Sequence, residues 1–258
     1  MELKEPGPEA SPPSTPQRRR SVCNNCDRPI PVCLCHVIPV PPIQTNTQII
    51  IIQHPHESNH KLSTTPLLTK SLLNATSLTS QRLTLNLLRR LPPANAAATF
   101  YLFPPTPTSP AITLTELKKS IQNKNTDNTP IVLIAFDATW KHAKEMVSAS
   151  EGYLSTFATR VCLNGFDESM EGGSIYDSEL VLRKEPFSGC VSTLEAVARW
   201  LGAVETNGPV IEERLITVLR EMVRLQAQFL KPMKPRPKLL NKKKNITKVI
   251  EKQSEEEN

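Results

Sequence analysis

The sequence predicts an α/β fold in which a largely parallel sheet is covered by helices on both faces. Two apolar runs, residues 47–53 and 131–136, have no polar alternation in their interiors, which is typical of strands buried on both faces. Segments with helical spacing alternate with these and other predicted strands, and such alternation favours a parallel sheet. At 258 residues, the chain can hold one sizeable domain with short appendages.

The predicted elements follow one another through the main domain, residues 37–230. Residues 37–46 are a connector interrupted by prolines, and Pro66 directly after Thr65 favours a helix that Thr65 caps. The predicted strands are residues 47–53, 98–103, 131–136, 159–163 and 179–183, and the predicted helices are residues 65–74, 114–121, 141–147, 192–205 and 209–231.

The two ends of the chain differ in composition from the middle. Residues 1–21 are mostly Pro, Ser, Glu and Arg with little to bury, so we expect them to be disordered. Residues 231–258 carry nine Lys or Arg and four Glu, which accounts for +5 of the formal net charge of +6. We expect this basic tail to be disordered as well. It attracts an RNA backbone by counterion release, or it acts as a nuclear-import signal around Lys242, Lys243 and Lys244.

Apolar residues are distributed in short runs along the whole chain. No stretch approaches the roughly 20 apolar residues that a membrane span needs. The first residues are charged and proline-rich, whereas a signal peptide has an apolar core. We therefore expect a cytoplasmic or nuclear protein with no membrane partner.

Four of the six cysteines lie within residues 22–36. Cys23, Cys26, Cys33 and Cys35 form a C-x-x-C pair followed by a C-x-C pair, and in a chain without a secretory signal such pairs favour a metal over disulfides. Tetrahedral zinc accepts four thiolates. The adjacent His36 is an alternative ligand, but four thiolates make it unnecessary. We therefore expect a structural zinc ion with no open coordination position.

Four residues of different chemistry follow the apolar run at 131–136. Asp137, Ala138, Thr139 and Trp140 come after a predicted strand and before a predicted helix, a position where open α/β sheets bind ligands. Asp137 at this position is typical of an N-cap, which Asn would replace with little loss of stability. The same carboxylate can also act as a general base in a cleft, since the two roles are not exclusive. Trp140 either stacks on an aromatic base or packs in the core.

Polar residues also follow the predicted strand at 47–53. His54, His56, Glu57 and His60 carry donor atoms for a metal, but their spacing follows a strand and is interrupted by a proline. We therefore favour a loop that lines a cleft over a metal site.

A third polar group precedes the predicted helix at 192–205. Ser192, Thr193, Leu194 and Glu195 match the S-x-x-E capping box, which supports a helix start without any catalytic purpose. Free amides at such a start also suit a carboxylate. Arg183 is the favoured cationic partner for a carboxylate or phosphate, since its planar fork binds such anions bidentately, and a plain surface arginine is the alternative.

Five short motifs occur in the order in which the DTW-domain family has them, and the cysteine cluster precedes them. They are QHPHE at 53–57, STTPLL at 63–68, DATW at 137–140, LRKEP at 182–186 and STLEA at 192–196. Together with the cysteines they cover roughly residues 22–205, which one short motif could not do by chance. The chain therefore resembles the DTW-domain family.

The resemblance implies a SAM-dependent tRNA-uridine aminocarboxypropyltransferase. Such an enzyme transfers the 3-amino-3-carboxypropyl group of SAM to N3 of a uridine and releases methylthioadenosine. The resemblance also implies a SPOUT-like domain with a trefoil knot, which periodicity alone does not reveal. For catalysis it implies Asp137, Thr139 and Trp140, with Asp137 as the base that takes the N3 proton. For SAM binding it implies Arg183, Pro186, Ser192, Thr193, Leu194 and Glu195.

Three other functions stay open from the sequence. A SPOUT-type RNA methyltransferase needs the same pocket, because which of the three electrophilic carbons of SAM reacts depends on placement. A small-molecule methyltransferase explains the pocket but not the basic tail. A non-catalytic zinc-containing RNA-binding protein explains the cysteines and the tail but gives no reason for Asp137 at a strand end.

Deletion of residues 231–258 is expected to weaken tRNA binding and to flatten its dependence on salt. Each lost phosphate contact lowers the slope of log affinity against log salt by roughly 0.7–0.9. Titrations of tRNA at several salt concentrations check this, and the triple change Lys242→Gln, Lys243→Gln and Lys244→Gln tests the central cations alone. If the truncated protein binds tRNA as tightly as the full chain at every salt concentration, the tail does not contribute to tRNA binding.

Overall fold

The computed structural model describes residues 21–58, 60–89, 98–123, 130–163 and 191–229. The predicted disordered N-terminus up to residue 20, the predicted strand at 179–183 and the basic tail lie outside these residues. No helix among the described residues is both long enough and apolar enough to cross a bilayer.

The described strands form one parallel sheet, which confirms the predicted fold class. The strands are β1 (Thr47–Gln53), β2 (Ala75–Thr79), β3 (Ala98–Leu102), β4 (Ile112–Thr113), β5 (Ile131–Asp137) and β6 (Thr159–Cys162). Their order across the sheet is β2-β1-β5-β3-β6-β4, and every neighbouring pair is parallel. Strands β2 and β4 were not predicted from the sequence. Both are short strands at the sheet edges with partly exposed residues, so they lack the apolar run that marked the central strands.

Six α-helices connect or cover these strands in the described residues. They are α1 (Thr65–Ser71), α2 (Leu85–Leu88), α3 (Leu114–Asn123), α4 (Trp140–Leu154), α5 (Thr193–Val204) and α6 (Gly208–Ala227). The predicted cap at Thr65 is wrong by one residue, because the helix is preceded by Thr64 and already includes Thr65. The predicted end at residue 74 is also wrong, since α1 stops at Ser71 and residue 75 already begins β2.

Helices cover both faces of the sheet, as predicted. Ile49 and Ile51 of β1 belong to one apolar cluster, which they share with residues of α1, α3, α5 and α6. Ile50 and Ile52 belong to a second cluster with residues of α2 and α4. Successive side chains of a strand point to opposite faces, so both halves of an uninterrupted apolar run are buried.

The centre of the sheet positions two polar strand ends side by side. The register of β1 on β5 pairs Gln53 with Asp137, and the amide of His54 donates to the carbonyl of Asp137 at 2.9 Å. From β1 the chain turns toward β2 at one edge, and from β5 it proceeds through α4 to β6 on the other side. The crevice at such a switch point is where open α/β sheets bind ligands.

Helices α5 and α6 approach each other closely at Gly208. A Cβ atom at this position would lie 2.4 Å from the carbonyl oxygen of Gly202 and 2.6 Å from that of Leu201. Both atoms belong to the backbone of α5, so no side-chain rotation could relieve the contact. This close approach holds α6 against α5, whose first residues belong to the site described below.

Gly208→Ala is expected to destabilise the protein by about 1–3 kcal/mol, the usual range for an overpacked contact. Gly152→Ala is the matched control, because Gly152 is exposed within α4 and a Cβ there meets nothing within 4 Å. Alanine should stabilise that helix by up to about 1 kcal/mol. Urea unfolding of the two variants checks both signs, and equal stabilities would contradict the close contact.

Candidate active site and cysteine cluster

The Asp137 carboxylate is the polar centre of the carboxyl edge of the sheet. It is only 8% exposed and accepts hydrogen bonds from three other elements. Its Oδ2 accepts from Thr65 Oγ1 at 2.6 Å and from Gln53 Nε2 at 3.0 Å. Its Oδ1 accepts from Thr193 Oγ1 at 2.7 Å. We call this arrangement the Asp137 clamp, because it joins β5 to β1, α1 and α5.

The alternative that Asp137 caps the following helix is wrong. Thr139 is the N-cap of α4, and its Oγ1 accepts from the amide of His142. Asp137 lies before that cap, and its carboxylate faces the opposite side of the sheet, toward α1 and α5. Its replacement by Asn therefore disturbs a buried hydrogen-bond network rather than a helix start.

A mostly apolar pocket opens beside the clamp. It contains about 680 Å³ of empty space, open solvent at its mouth included. The lining residues come from the carboxyl ends of β3, β5 and β6 and from the starts of α4 and α5: Leu102, Phe103, Pro104, Ala135, Phe136, Ala138, Trp140, Ala143, Val161, Leu163, Val191, Thr193 and Ala196. Ligand sites are typically concave, apolar and supplied with a few polar groups, as this pocket is.

Two aromatic rings form part of the pocket wall. Trp140 stacks on Phe103 with 5.5 Å between ring centroids and 19° between ring planes. Both residues are partly exposed, which leaves ring surface open to the pocket. The alternative of a fully buried core tryptophan is therefore wrong for Trp140. It fits the fully buried Trp200 of α5 instead.

The structure separates the roles of the four residues at 192–195. Ser192 is the N-cap of α5 and accepts from the amide of Glu195 at 3.2 Å. Thr193 lines the pocket and belongs to the Asp137 clamp. Leu194 is fully buried in the apolar core, and the buried Glu195 forms an ion pair with Arg199. Thr193 is therefore the member of this group whose side chain is best placed to contact a ligand.

The other two predicted SAM ligands, Arg183 and Pro186, lie outside the described residues. The described residues on either side of their segment are Leu163 and Val191. Both of these line the pocket.

The four cysteines at 23–35 lie together, as their spacing predicts. Their Sγ atoms are within 4.8 Å of one another, with 3.5 Å between Cys23 and Cys35 and 3.6 Å between Cys26 and Cys33. Four sulfurs around zinc at about 2.3 Å are separated by ~3.8 Å, so the geometry fits a tetrahedral ion. Hydrogen bonds from the backbone amides of Cys26 and Asn25 lower the pKa of Cys23 to about 6, which favours the thiolate that binds metal.

The cysteine segment packs on the main domain. Cys26 is 1% exposed and belongs to the apolar cluster that contains α5 and α6. Lys70 of α1 forms an ion pair with Asp27 at 2.9 Å, and His36 contacts Glu221 of α6 at 3.0 Å. The cysteine segment therefore contacts both α1 and α6. Helix α1 supplies Thr65 to the Asp137 clamp.

Comparison with known proteins identifies the family. The model of the DTW domain matches residues 20–227, which is most of the chain. The chain belongs to the DTW-domain family. It is 57% identical over 247 residues to tRNA-uridine aminocarboxypropyltransferase A of Arabidopsis thaliana, with 92% of each chain covered.

More distant DTW relatives come from animals. tRNA-uridine aminocarboxypropyltransferase 2 of Mus musculus is 30% identical over 223 residues, covering 81% of this chain and 65% of the relative. The protein of the same name from Drosophila melanogaster is 27% identical over 213 residues, covering 82% and 77%. No solved structure matches this chain.

The Asp137 clamp is built from the motifs that carry the DTW resemblance. Gln53 comes from the motif at 53–57, Thr65 from the motif at 63–68, and Thr193 from the motif at 192–196. Asp137 itself opens the DATW motif. Four motifs spread over about 140 residues of this DTW chain thus meet at one carboxylate, and the fifth, at 182–186, lies outside the described residues.

Sequence reasoning missed Arg160, which shapes the pocket wall of this DTW domain. Arg160 is 6% exposed and donates to the carbonyls of Pro104 and Ser109, to the hydroxyl of Tyr101 and to Glu151. Partial burial acts to raise the pKa of Glu151, but the hydrogen bonds that it accepts lower it below its ordinary value. The signal available in the sequence was the position of Arg160 within a predicted strand, the four-residue β6 of the structure. An arginine buried in a strand needs a hydrogen-bonding or charged partner, so this position indicates a polar network.

His142 is a second residue that the sequence analysis did not single out. It comes from the first turn of α4 and stacks on His54, with 4.3 Å between ring centroids. Burial, together with the charges of His142 and His56, lowers the pKa of His54. The loop after β1 lines a cleft, as predicted, and a histidine from another element faces it.

Purified protein is expected to contain close to one zinc ion per chain. Cys26→Ser should lose most of this zinc and lower the melting temperature, because Cys26 is buried and the ion would join two parts of a segment that braces the domain. Cys162→Ala is the matched control, since Cys162 is also buried but is not part of the cluster. Metal analysis and thermal unfolding check this, and a zinc-free protein with unchanged stability would contradict it.

Proposed function

We propose that this chain is a tRNA-uridine aminocarboxypropyltransferase that transfers the 3-amino-3-carboxypropyl group of SAM to N3 of a uridine in tRNA. The observation that carries the proposal is the Asp137 clamp, in which four family motifs meet beside one pocket, whose wall includes the clamp residue Thr193. The identity of 57% to a plant protein of that name supports the same activity.

The pocket fits SAM in its chemistry. Its lining is mostly apolar, and the stacked rings of Trp140 and Phe103 suit an adenine or a uracil base. Thr193 supplies a hydroxyl at the wall, and the free amides at the start of α5 suit the carboxylate of the methionine part. We propose that Arg183 and Pro186 complete the part of the site that binds the methionine carboxylate of SAM. Ser192, Leu194 and Glu195 contribute indirectly in this proposal, because they fix the position of the first turn of α5.

When bound, SAM supplies an electrophilic carbon next to its sulfonium. The C–S bond to that carbon breaks as the N3–C bond forms, and the electron pair leaves with the sulfur of methylthioadenosine. The N3 proton must be removed for this to occur, and a carboxylate held in a partly desolvated cleft is suited to take it. The proposed roles of the protein are therefore to place the carbon against N3 and to accept one proton.

Asp137 is the residue we propose as the base. A carboxylate has about four acceptor positions, and the clamp uses three of them. The donors fix both oxygens, and the single donor of this set to Oδ1 is Thr193, which lines the pocket. Thr139 holds the first turn of α4, so it positions Trp140 at the pocket wall.

The remaining parts of the proposal extend beyond the clamp. We propose that the domain is SPOUT-like with a trefoil knot, that the four cysteines hold a structural zinc, and that the basic tail adds affinity for tRNA. RNA methyl transfer is the alternative that shares this pocket. A non-catalytic RNA-binding protein has no use for a buried carboxylate that hydrogen bonds from three elements hold beside a pocket.

The product identifies the reaction. Incubation of the full chain with SAM and tRNA is expected to release methylthioadenosine and to add an aminocarboxypropyl group to uridine, as detected by mass spectrometry of nucleosides. S-adenosylhomocysteine with a methylated nucleoside would show a methyltransferase instead. If neither product forms with tRNA from several sources, the result would contradict catalysis on tRNA.

Asp137→Asn is expected to lower turnover by roughly 10²–10⁴-fold, the range for a lost general base. The expectation of nearly unchanged stability no longer holds, because three hydrogen bonds to a buried charge are affected. Each hydrogen bond to a charged group contributes about 1.5–3 kcal/mol, so we expect the free energy of unfolding to fall by about the value of one such bond.

Thr65→Val is the matched control for Asp137→Asn. It removes the 2.6 Å hydrogen bond to Oδ2 but keeps the carboxylate, so its loss of stability should be comparable and its loss of turnover much smaller. Single-turnover rates and unfolding curves of both variants separate the two effects. Equal losses of turnover would make Asp137 a positioning residue, and loss of SAM binding in Asp137→Asn would place it in the SAM site.

A further inference from the structure

Three of the five histidines of the chain converge at the carboxyl end of β1. His54 and His56 belong to the loop that follows β1, and His142 belongs to the first turn of α4. One ring nitrogen from each lies within 4.8 Å of the others. This trihistidine cluster lies on the face of the sheet that α4 covers, whereas the Asp137 carboxylate points to the opposite face.

Ordinary packing leaves part of this cluster unexplained. The stacked rings of His54 and His142 are a normal aromatic contact, with 11° between their planes. However, His142 Nδ1 is buried and has no hydrogen-bond partner among the residues that the structure describes. Buried polar atoms usually have a partner, and each exception calls for an explanation such as an ion.

We propose that His54, His56 and His142 bind one divalent transition-metal ion, such as Zn²⁺ or Ni²⁺. Imidazole nitrogens suit these metals, and three histidines with an open fourth position are an established ligand set. The cluster lines a cleft open to solvent, together with Arg82 and Glu145. Water or an exchangeable ligand occupies the remaining coordination position, so the site differs from the closed four-thiolate site at 23–35.

The chemistry of His54 sets a condition on metal binding. His54 Nδ1 accepts a hydrogen bond from the amide of His56 at 3.2 Å. A neutral imidazole has a single lone pair, so a metal bond requires His54 to give up this hydrogen bond, which costs about 1 kcal/mol. Three nitrogens at ~2.0–2.1 Å from zinc would lie ~3.4 Å apart, so the rings must also move closer. The ring of His56 is exposed and free to make this movement.

The position of the cluster gives the metal a definite structural effect. The backbone of His54 donates to the carbonyl of Asp137, and the amide of His142 donates to the cap residue Thr139. An ion held by His54 and His142 therefore joins the loop after β1 to the start of α4. We expect a bound metal to raise the melting temperature, because it binds the folded state alone.

The test is a metal titration of the full chain with any oligohistidine tag removed. Protein that already contains its cysteine-bound zinc is titrated with Ni²⁺ and separately with Zn²⁺, and binding is followed by calorimetry and by the melting temperature. Ni²⁺ favours imidazole while thiolates retain zinc, so it reports on the histidines. We expect one additional equivalent per chain.

Histidine variants assign that equivalent to the cluster. His142→Gln and His56→Gln should each weaken its binding by at least about tenfold. His60→Gln is the matched control, since His60 follows the same loop but is outside the cluster, and it should bind as the unchanged protein does. His56 is exposed, so its variant decides the matter if His142→Gln fails to fold. No additional equivalent, or equal affinity in all three variants, would overturn the proposal.

Discussion

One buried carboxylate, that of Asp137, connects the elements that form the site. It accepts hydrogen bonds from Gln53, Thr65 and Thr193, which come from β1, α1 and α5. A buried carboxylate without partners would be strongly destabilising, so the charge requires these donors and thereby holds the three elements together. Helix α6 packs closely on α5 at Gly208, and the cysteine segment contacts α1 and α6. These contacts help to hold α1 and α5, which supply two of the three donors.

The alternation of side chains along β1 and β5 divides the edge of the sheet into two chemical sites. Gln53 and Asp137 point toward α1 and α5, and they meet the hydroxyls of the clamp. The next residue after Gln53 is His54, which points to the other face and meets His142 of α4. Two adjacent residues of one strand end therefore serve a carboxylate on one side and the trihistidine cluster on the other.

The pocket depends on contacts that are distant from the proposed chemistry. Arg160 donates to the carbonyl of Pro104, a pocket-lining residue, and to Glu151 of α4. Trp140 stacks on Phe103, so the end of β3 and the start of α4 share one wall. Hydrogen bonds formed inside the low-dielectric interior are stronger than those in water, and such a network gives the wall a defined shape.

The sequence by itself determined the parallel α/β class, the central strands, the cysteine cluster and the family, because apolar runs, cysteine spacing and motif order are local signals. Asp137 was found in the same way, at the end of an apolar run. The tertiary structure decided what Asp137 contacts: its donors lie 84, 72 and 56 residues away along the chain. It likewise decided that Thr139 rather than Asp137 caps α4, and that His142 joins His54 and His56. Strand register and helix packing bring such residues together, and neither is encoded in the spacing of any one segment.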